Sequence, residues 1–194
     1  MPHTLDKACM TGYTKGMSDV YMEMPRLLLR HWREADVEPF AWMNADPEVM
    51  RFFPEPYSRE KSNCFSMNIL REFSDYGYGL YAVEEKATGL FMGYTGFHRM
   101  ELELDFCPCT EIGWRLDKDF WDKGYATEGA KACLEHGFSR LGFDTVYSFT
   151  SRVNLPSERV MKKIGMRMER HFEHPGVPQN HPLRPHILYM VTAD

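Results

Sequence analysis

Apolar positions along the chain recur with two different periods, and the changes of period mark out the elements. Around residues 108–116, Ile112, Trp114 and Leu116 alternate with Glu111, Gly113 and Arg115. A period of two places these sets on opposite faces of a strand. From Tyr125 the period lengthens. Ala126, Ala130, Cys133, Leu134, Gly137, Phe138 and Leu141 form one stripe, which predicts an amphipathic helix closed by Gly142. Val146 to Thr150 reads as a compact strand. A strand–helix–strand order predicts a parallel pair joined by a right-handed crossover.

Other elements flank this unit. Arg26 to His31 reads as an opening strand, and Asp36 is placed to cap a short helix through about Asn44. Ser58 opens a longer helix to about Asp75, with Phe65, Ile69, Leu70 and Phe73 at helical spacing. Gly79–Glu85 and Met92–Arg99 predict a hairpin across the turn-like Lys86–Gly89. Asn154 caps a further helix that tolerates Pro156 in its first turn and buries Val160, Met161 and Ile164. Met166–His174 and Arg184–Thr192 predict two last strands. The sum is an α/β domain, a mixed sheet with helices on both faces. Residues 1–24 are polar and aperiodic and are expected to form a poorly ordered tail, leaving 25–194 as a single domain.

Charge and cysteine usage narrow the function classes. The net charge of −5 lacks the basic excess of a general nucleic-acid binder and is compatible with an amine-bearing partner. The cysteine count is odd and the placement scattered, which does not resemble a disulfide framework and points to a reducing cytoplasm. Cys107-Pro-Cys109 lacks a second ligand pair at zinc spacing, so no metal site is expected. No apolar run is long enough to span a membrane.

The candidate chemistry begins at Trp121-Asp-Lys-Gly-Tyr-Ala-Thr, where the central helix starts. A helix start with small residues offers free N–H groups and a positive dipole end to a phosphate. The spacing is neither the G-x-G-x-x-G of dinucleotide folds nor a Walker loop. A different phosphate-bearing ligand is implied.

Trp121-x-Lys-Gly-Tyr-Ala-Thr-Glu, Asn154-x-x-Ser157 and Lys163-Ile-Gly165-Met together resemble the Gcn5-related N-acetyltransferases (GNAT). Pro25-Arg-Leu-x-Leu-Arg, Asp46-Pro-Glu-Val-Met and His181-Pro-Leu-Arg resemble most closely the subgroup with the Rim-type acetyltransferases of ribosomal-protein N-termini. The resemblance runs from about Pro25 to Ala193. It implies a mostly antiparallel sheet with a splayed parallel strand pair, and acetyl-coenzyme A as cofactor. The amides of Lys123, Gly124, Tyr125, Ala126 and Thr127 would hold the diphosphate. The strand Gly113, Trp114, Arg115, Leu116 would hold the pantetheine arm. Asn154 would contact the cofactor arm, cap its helix, or do both. Arg159 is one of several nearby cations, with Arg115, Lys118, Lys123 and Lys162, for phosphates or for ordinary surface solvation.

Glu111 matches the position of a general-base glutamate in many members. Many members also carry a tyrosine acid seven residues beyond the asparagine, where Met161 stands here. Ser157 matches a serine of the subgroup, and the resemblance makes it the candidate acid, or else a capping residue. Phe52, Phe53 and Tyr57, with the Pro175–Pro182 segment, are expected to form the acceptor pocket, with His98, His171, His174, His181 and His186 as further candidates. The implied reaction is direct acetyl transfer to a primary amine, on a protein N-terminus or a small molecule, by a monomer or homodimer. A non-catalytic acyl-coenzyme A sensor of the same fold is the alternative.

Overall fold

The computed structural model describes residues 19–193. Eight strands form one sheet in the order β1-β2-β3-β4-β5-β6-β8-β7. These are β1 (Val20–Glu23), β2 (Leu27–Arg30), β3 (Leu80–Glu85), β4 (Phe91–Met100), β5 (Cys109–Leu116), β6 (Thr145–Ser151), β7 (Arg167–Glu173) and β8 (Pro185–Thr192). Every neighbouring pair is antiparallel except β5–β6. The helices are α1 (Val37–Ala45), α2 (Arg59–Tyr76), α3 (Tyr125–Ser139) and α4 (Leu155–Lys163).

Strand alternation divides the core into two layers. In β3, Tyr81 and Val83 join a cluster with Leu27, Leu29, Phe97 and the α3 residues Ala130, Cys133 and Leu134. Leu80 and Ala82, one position out of phase, join Trp32, Phe40, Met43, Ile69 and Tyr94 beneath α1 and α2. The sheet is thus covered on both faces, α3 on one and α1–α2 on the other. Helix α3 lies close on β4 because position 137 has no side chain. A Cβ on Gly137 would come 2.7 Å from the Phe97 ring.

Two expectations are corrected. Val20–Glu23 lies within the expected tail but forms β1, paired to β2 in the register Val20↔Arg30. Four residues carry no usable periodicity. The strand is held by backbone pairing and by Tyr21, whose ring stacks on Phe73 at 5.6 Å and lies 4.8 Å from the Tyr81 ring. Residues 1–18 of that expected tail lie outside the described residues. Asp36 precedes α1 but makes no side-chain cap. Its carboxylate is taken by Arg30 Nη1 and Nη2 at 2.7 and 2.9 Å, in a buried cluster closed by Glu84 at 2.5 Å from Nε. By contrast, Ser58 caps α2 as expected, accepting from the Lys61 amide, and Asn154 caps α4 through the Ser157 amide.

Candidate active site

Strands β5 and β6 run parallel but touch at one register pair, Glu111↔Tyr147. Beyond it the strands part. β5 stays zipped to β4 along its other edge, from Met100↔Cys109 to Gly93↔Leu116. The edge facing β6 therefore loses its ladder over Gly113–Leu116, and backbone groups there need other partners. A cavity of about 940 Å³ occupies the gap. Glu111, Ser157, Asn154, Arg159, the aromatic acceptor candidates and all of the Gly113–Leu116 and Lys123–Thr127 cofactor candidates except Lys123 line it.

At one end of the gap lies the start of α3. Asp122 (φ 58) and Gly124 (φ 81) are both left-handed, two residues apart. Alternation of hand in a short loop turns successive amides towards one side and makes an anion nest. Gly124 is the helix N-cap residue and supplies no side-chain cap. Among the described residues, the N–H groups of Lys123 to Thr127 have no protein acceptor.

The loop is braced around these free amides. Trp121 Nε1 donates to the Leu116 carbonyl at 2.8 Å, tying the loop to the end of β5. Arg26 Nη1 donates to the Lys123 carbonyl at 2.8 Å, and Arg26 pairs with Glu128 at 2.6 Å. The Lys123 side chain is not in the gap. Its Nζ donates to the Asp119 carbonyl, 2.9 Å away.

Glu111 sits where the strands begin to part. The residue keeps some exposure through the cavity, but protein surrounds its carboxyl group. Burial pushes its pKa up to about 8, against the charge of His98, which pulls it down; Glu72 adds to the rise and the Phe149 amide opposes it. His98 stands directly opposite Glu111 in the β4–β5 register. Burial alone would lower the His98 pKa, but its hydrogen bond to Glu72, 2.7 Å from Nδ1, and the Glu111 charge raise it. A carboxylate–imidazole–carboxylate row thus crosses α2, β4 and β5. Sequence reading named His98 only as one of five histidines. The β4–β5 register, which the structure supplies, pairs it with Glu111; nothing in sequence pointed to Glu72.

The far wall of the gap comes from β6 and α4. Asn154 is committed on both sides, its Oδ1 to the Ser157 amide and its Nδ2 to Thr150 Oγ1 at 2.9 Å. The Ser157 hydroxyl has no protein partner among the described residues. Met161 is packed in the core, 1% exposed. Of the five candidate histidines, His98, His174 and His186 line the cavity, and His171 and His181 do not. Burial pushes His174 down to about 4, helped by His186 and Arg184, and burial also lowers His186, so this pair is neutral near pH 7.

Arg115 departs from the surface cation expected of it. It is buried on the α1–α2 side, its guanidinium carbon 4.2 Å from the Phe53 ring centroid.

A family profile described as "Acetyltransferase (GNAT) domain" matches residues 26–167. The chain belongs to the GNAT acetyltransferase family. It is accordingly an acetyl-coenzyme A-dependent acetyltransferase. It is 30% identical to the "Uncharacterized N-acetyltransferase YnaD" of Bacillus subtilis (strain 168) over 157 residues, 79% of this chain and 86% of that protein. A solved GNAT-family acetyltransferase from Bacillus anthracis superposes with TM-score 0.71 at 27% identity, covering 88% of this chain and 96% of that one. "RimL- Ribosomal L7/L12 alpha-N-protein acetyltransferase in complex with Coenzyme A" shares the fold at TM-score 0.73 and 16% identity, over 90% of this chain and 98% of that one. The Rim-type resemblance read from the motifs thus has a counterpart among fold neighbours. Among the described residues no group of His, Cys, Asp or Glu is arranged to hold a metal. No helix there is long and apolar enough to cross a membrane.

Proposed function

We propose that this enzyme transfers an acetyl group from acetyl-coenzyme A to a primary amine, on a protein N-terminus or a small molecule, by direct transfer in a ternary complex. One observation carries the reading: a single cavity runs from the unpaired α3 amides, through the opened β5–β6 gap, to Glu111. When bound, acetyl-coenzyme A supplies an acetyl group already activated as a thioester. The residues present fit it. Free amides at Lys123–Thr127 suit a diphosphate, and the unladdered edge of Gly113–Leu116 suits an amide-bearing arm. Arg159 lines the same cavity, and Asn154 keeps one lone pair and one N–H beyond its protein bonds.

Glu111 accepts the amine proton, through a water molecule. Its raised pKa makes it a stronger base than an ordinary carboxylate while leaving a usable ionised fraction near neutrality. His98, held by Glu72, is shifted towards its protonated form beside the base. Ser157, on the opposite wall, relays a proton from solvent to the departing thiolate and regains one in its place, so that its hydroxyl is unchanged at the end of the step. The chain needs no covalent acyl-enzyme. Cys133 is fully buried in the α3 core and its thiol pKa is driven far up by burial. An acceptor on a protein N-terminus has a parallel in RimL, named for acetylating one.

The test has two steps. Calorimetry with coenzyme A, ATP and NAD establishes the ligand, and preference for either nucleotide overturns the reading. Thioester consumption over a panel of amines, with mass spectrometry of the products, establishes the reaction. Tight coenzyme A binding with no acetylated product from any amine would make the protein a sensor.

A further inference from the structure

The acceptor side of the cavity holds a cation that the protein leaves unneutralised. Arg115 follows Glu111 by four positions and Gly113 by two, so the three share one face of β5. It is 6% exposed and lines the cavity. Nη1 donates to the neutral Asn44 Oδ1 at 2.5 Å, and Nε is buried with no partner. Four rings, those of Phe53, Tyr57, Phe65 and Tyr94, surround the guanidinium at 4.2–5.8 Å. Ring faces attract a cation but do not neutralise it.

No carboxylate of the described residues pairs with Arg115. The acids of the surrounding elements are engaged elsewhere: Glu84 and Asp36 by Arg30, Asp46 by Lys118, Glu55 by Lys61 and Glu72 by His98. Glu111 answers to His98 and Glu72 instead. The Tyr94 hydroxyl stays neutral, since burial pushes it up to about 12 although Arg115 pulls it down.

Arg30 is the internal contrast. It is 2% exposed and is met by two carboxylates at 2.5–2.9 Å. Where this chain buries a guanidinium for structure, it supplies the counter-charge. At Arg115 it supplies a cavity. A buried charge without a partner is costly, so an arrangement of this kind is completed by an anion from outside. The floor between Glu111 and Arg115 is open, because a Cβ on Gly113 would meet nothing within 4 Å. Their Cα atoms lie roughly 13 Å apart along the strand.

We infer that Arg115 is the anion-binding arm of the acceptor subsite, and that the acceptors are amines carrying a carboxylate several bonds from the nitrogen. This rests on the acetyl-transfer reading for the identity of the amine end. A fork of N–H donors is matched to a carboxylate, and its loss leaves the donors unpaired.

The experiment compares matched acceptors with acetyl-coenzyme A. Free amino acids are represented by 4-aminobutanoate and 6-aminohexanoate, and peptides by glycyl-glutamate. Each is measured against the same molecule with the distal carboxylate converted to an amide. We expect kcat/KM to favour the acid over its amide by at least about tenfold in one of these series, which also identifies the source of the carboxylate. In Arg115→Gln that ratio should collapse to about one, and Arg115→Lys should recover part of it. A ratio near one in the wild-type enzyme for every pair overturns the inference, whether or not the variants fold.

Calorimetry of glutarate against the coenzyme A-loaded wild-type protein separates the two readings. Glutarate binding that Arg115→Gln abolishes, with no amine acetylated, supports the anion subsite and overturns acetyl transfer. Amides acetylated as fast as acids, with no glutarate binding, overturn the anion subsite and leave acetyl transfer standing.

Discussion

Replacing Glu111 by glutamine isolates the group whose titration is most displaced towards neutrality within the gap. A carboxyl pushed up to about 8 is about one-tenth ionised at pH 7 and about nine-tenths at pH 9. If this carboxylate takes the proton, kcat/KM should rise about tenfold between those values and level off above them. The acceptor amine contributes a rising limb of its own. An acceptor whose amine titrates below about pH 6 removes it, so that the remaining limb belongs to the enzyme. Glu111→Gln should abolish that limb and lower the rate at pH 9 by about 10²–10⁴-fold, with coenzyme A affinity nearly unchanged. A variant that keeps the limb, or loses less than about threefold in rate, removes Glu111 from the chemistry.

The same substitution has a stability signature. The folded protein holds this carboxyl above its ordinary value of 4.5, so the fold prefers the neutral form. The resulting stabilisation is present below about pH 4.5 and is lost as pH rises towards 8. Glutamine is neutral throughout. Melting temperatures should therefore differ little at pH 4.5, while at pH 9 the variant should be more stable by on the order of a few kcal/mol. A variant that is less stable than wild type at pH 9 would mean that the burial of Glu111 is not what displaces its titration.

Three further outcomes follow from the geometry. His98→Gln removes the charge that pulls Glu111 down, so the midpoint of the rate limb should move alkaline by about 0.5–1 pH unit; an acidic shift would contradict the assignment. Gly124→Ala places a side chain at φ 81, a strain of about 1–2 kcal/mol, and calorimetry should show coenzyme A affinity falling about tenfold if the loop relaxes by turning its amides away. Arg30→Met leaves Asp36 and Glu84 facing each other without their shared cation, which should cost about 3–5 kcal/mol and lower the melting temperature by roughly 6–20 °C; a change under about 2 °C would show that the buried cluster is not a stabilising one.

Short-range pattern settled much of this molecule. The alternation through Glu111–Leu116, the stripe of α3, and the small residues at its start were readable because each depends on neighbours within a few positions. Those same signals put Glu111, Gly113 and Arg115 on one face, and the Asn154 and Ser58 caps were equally local. The short β1 escaped, since Val20–Glu23 has no period and is held only by its pairing to β2 and by the Tyr21 ring. Asp36 read as a cap because Arg30 and Glu84, 6 and 48 positions away, were not yet beside it.

The sequence by itself determined which residues share a strand face and which amides a helix start leaves unpaired. Only the tertiary structure decided what each face meets. It brought Glu72 to His98, enclosed Arg115 among rings from β4, α2 and the loop before it, and placed β8 between β6 and β7. The reason is physical: periodicity is set by bonds along the chain, whereas charge compensation and burial depend on distances across it.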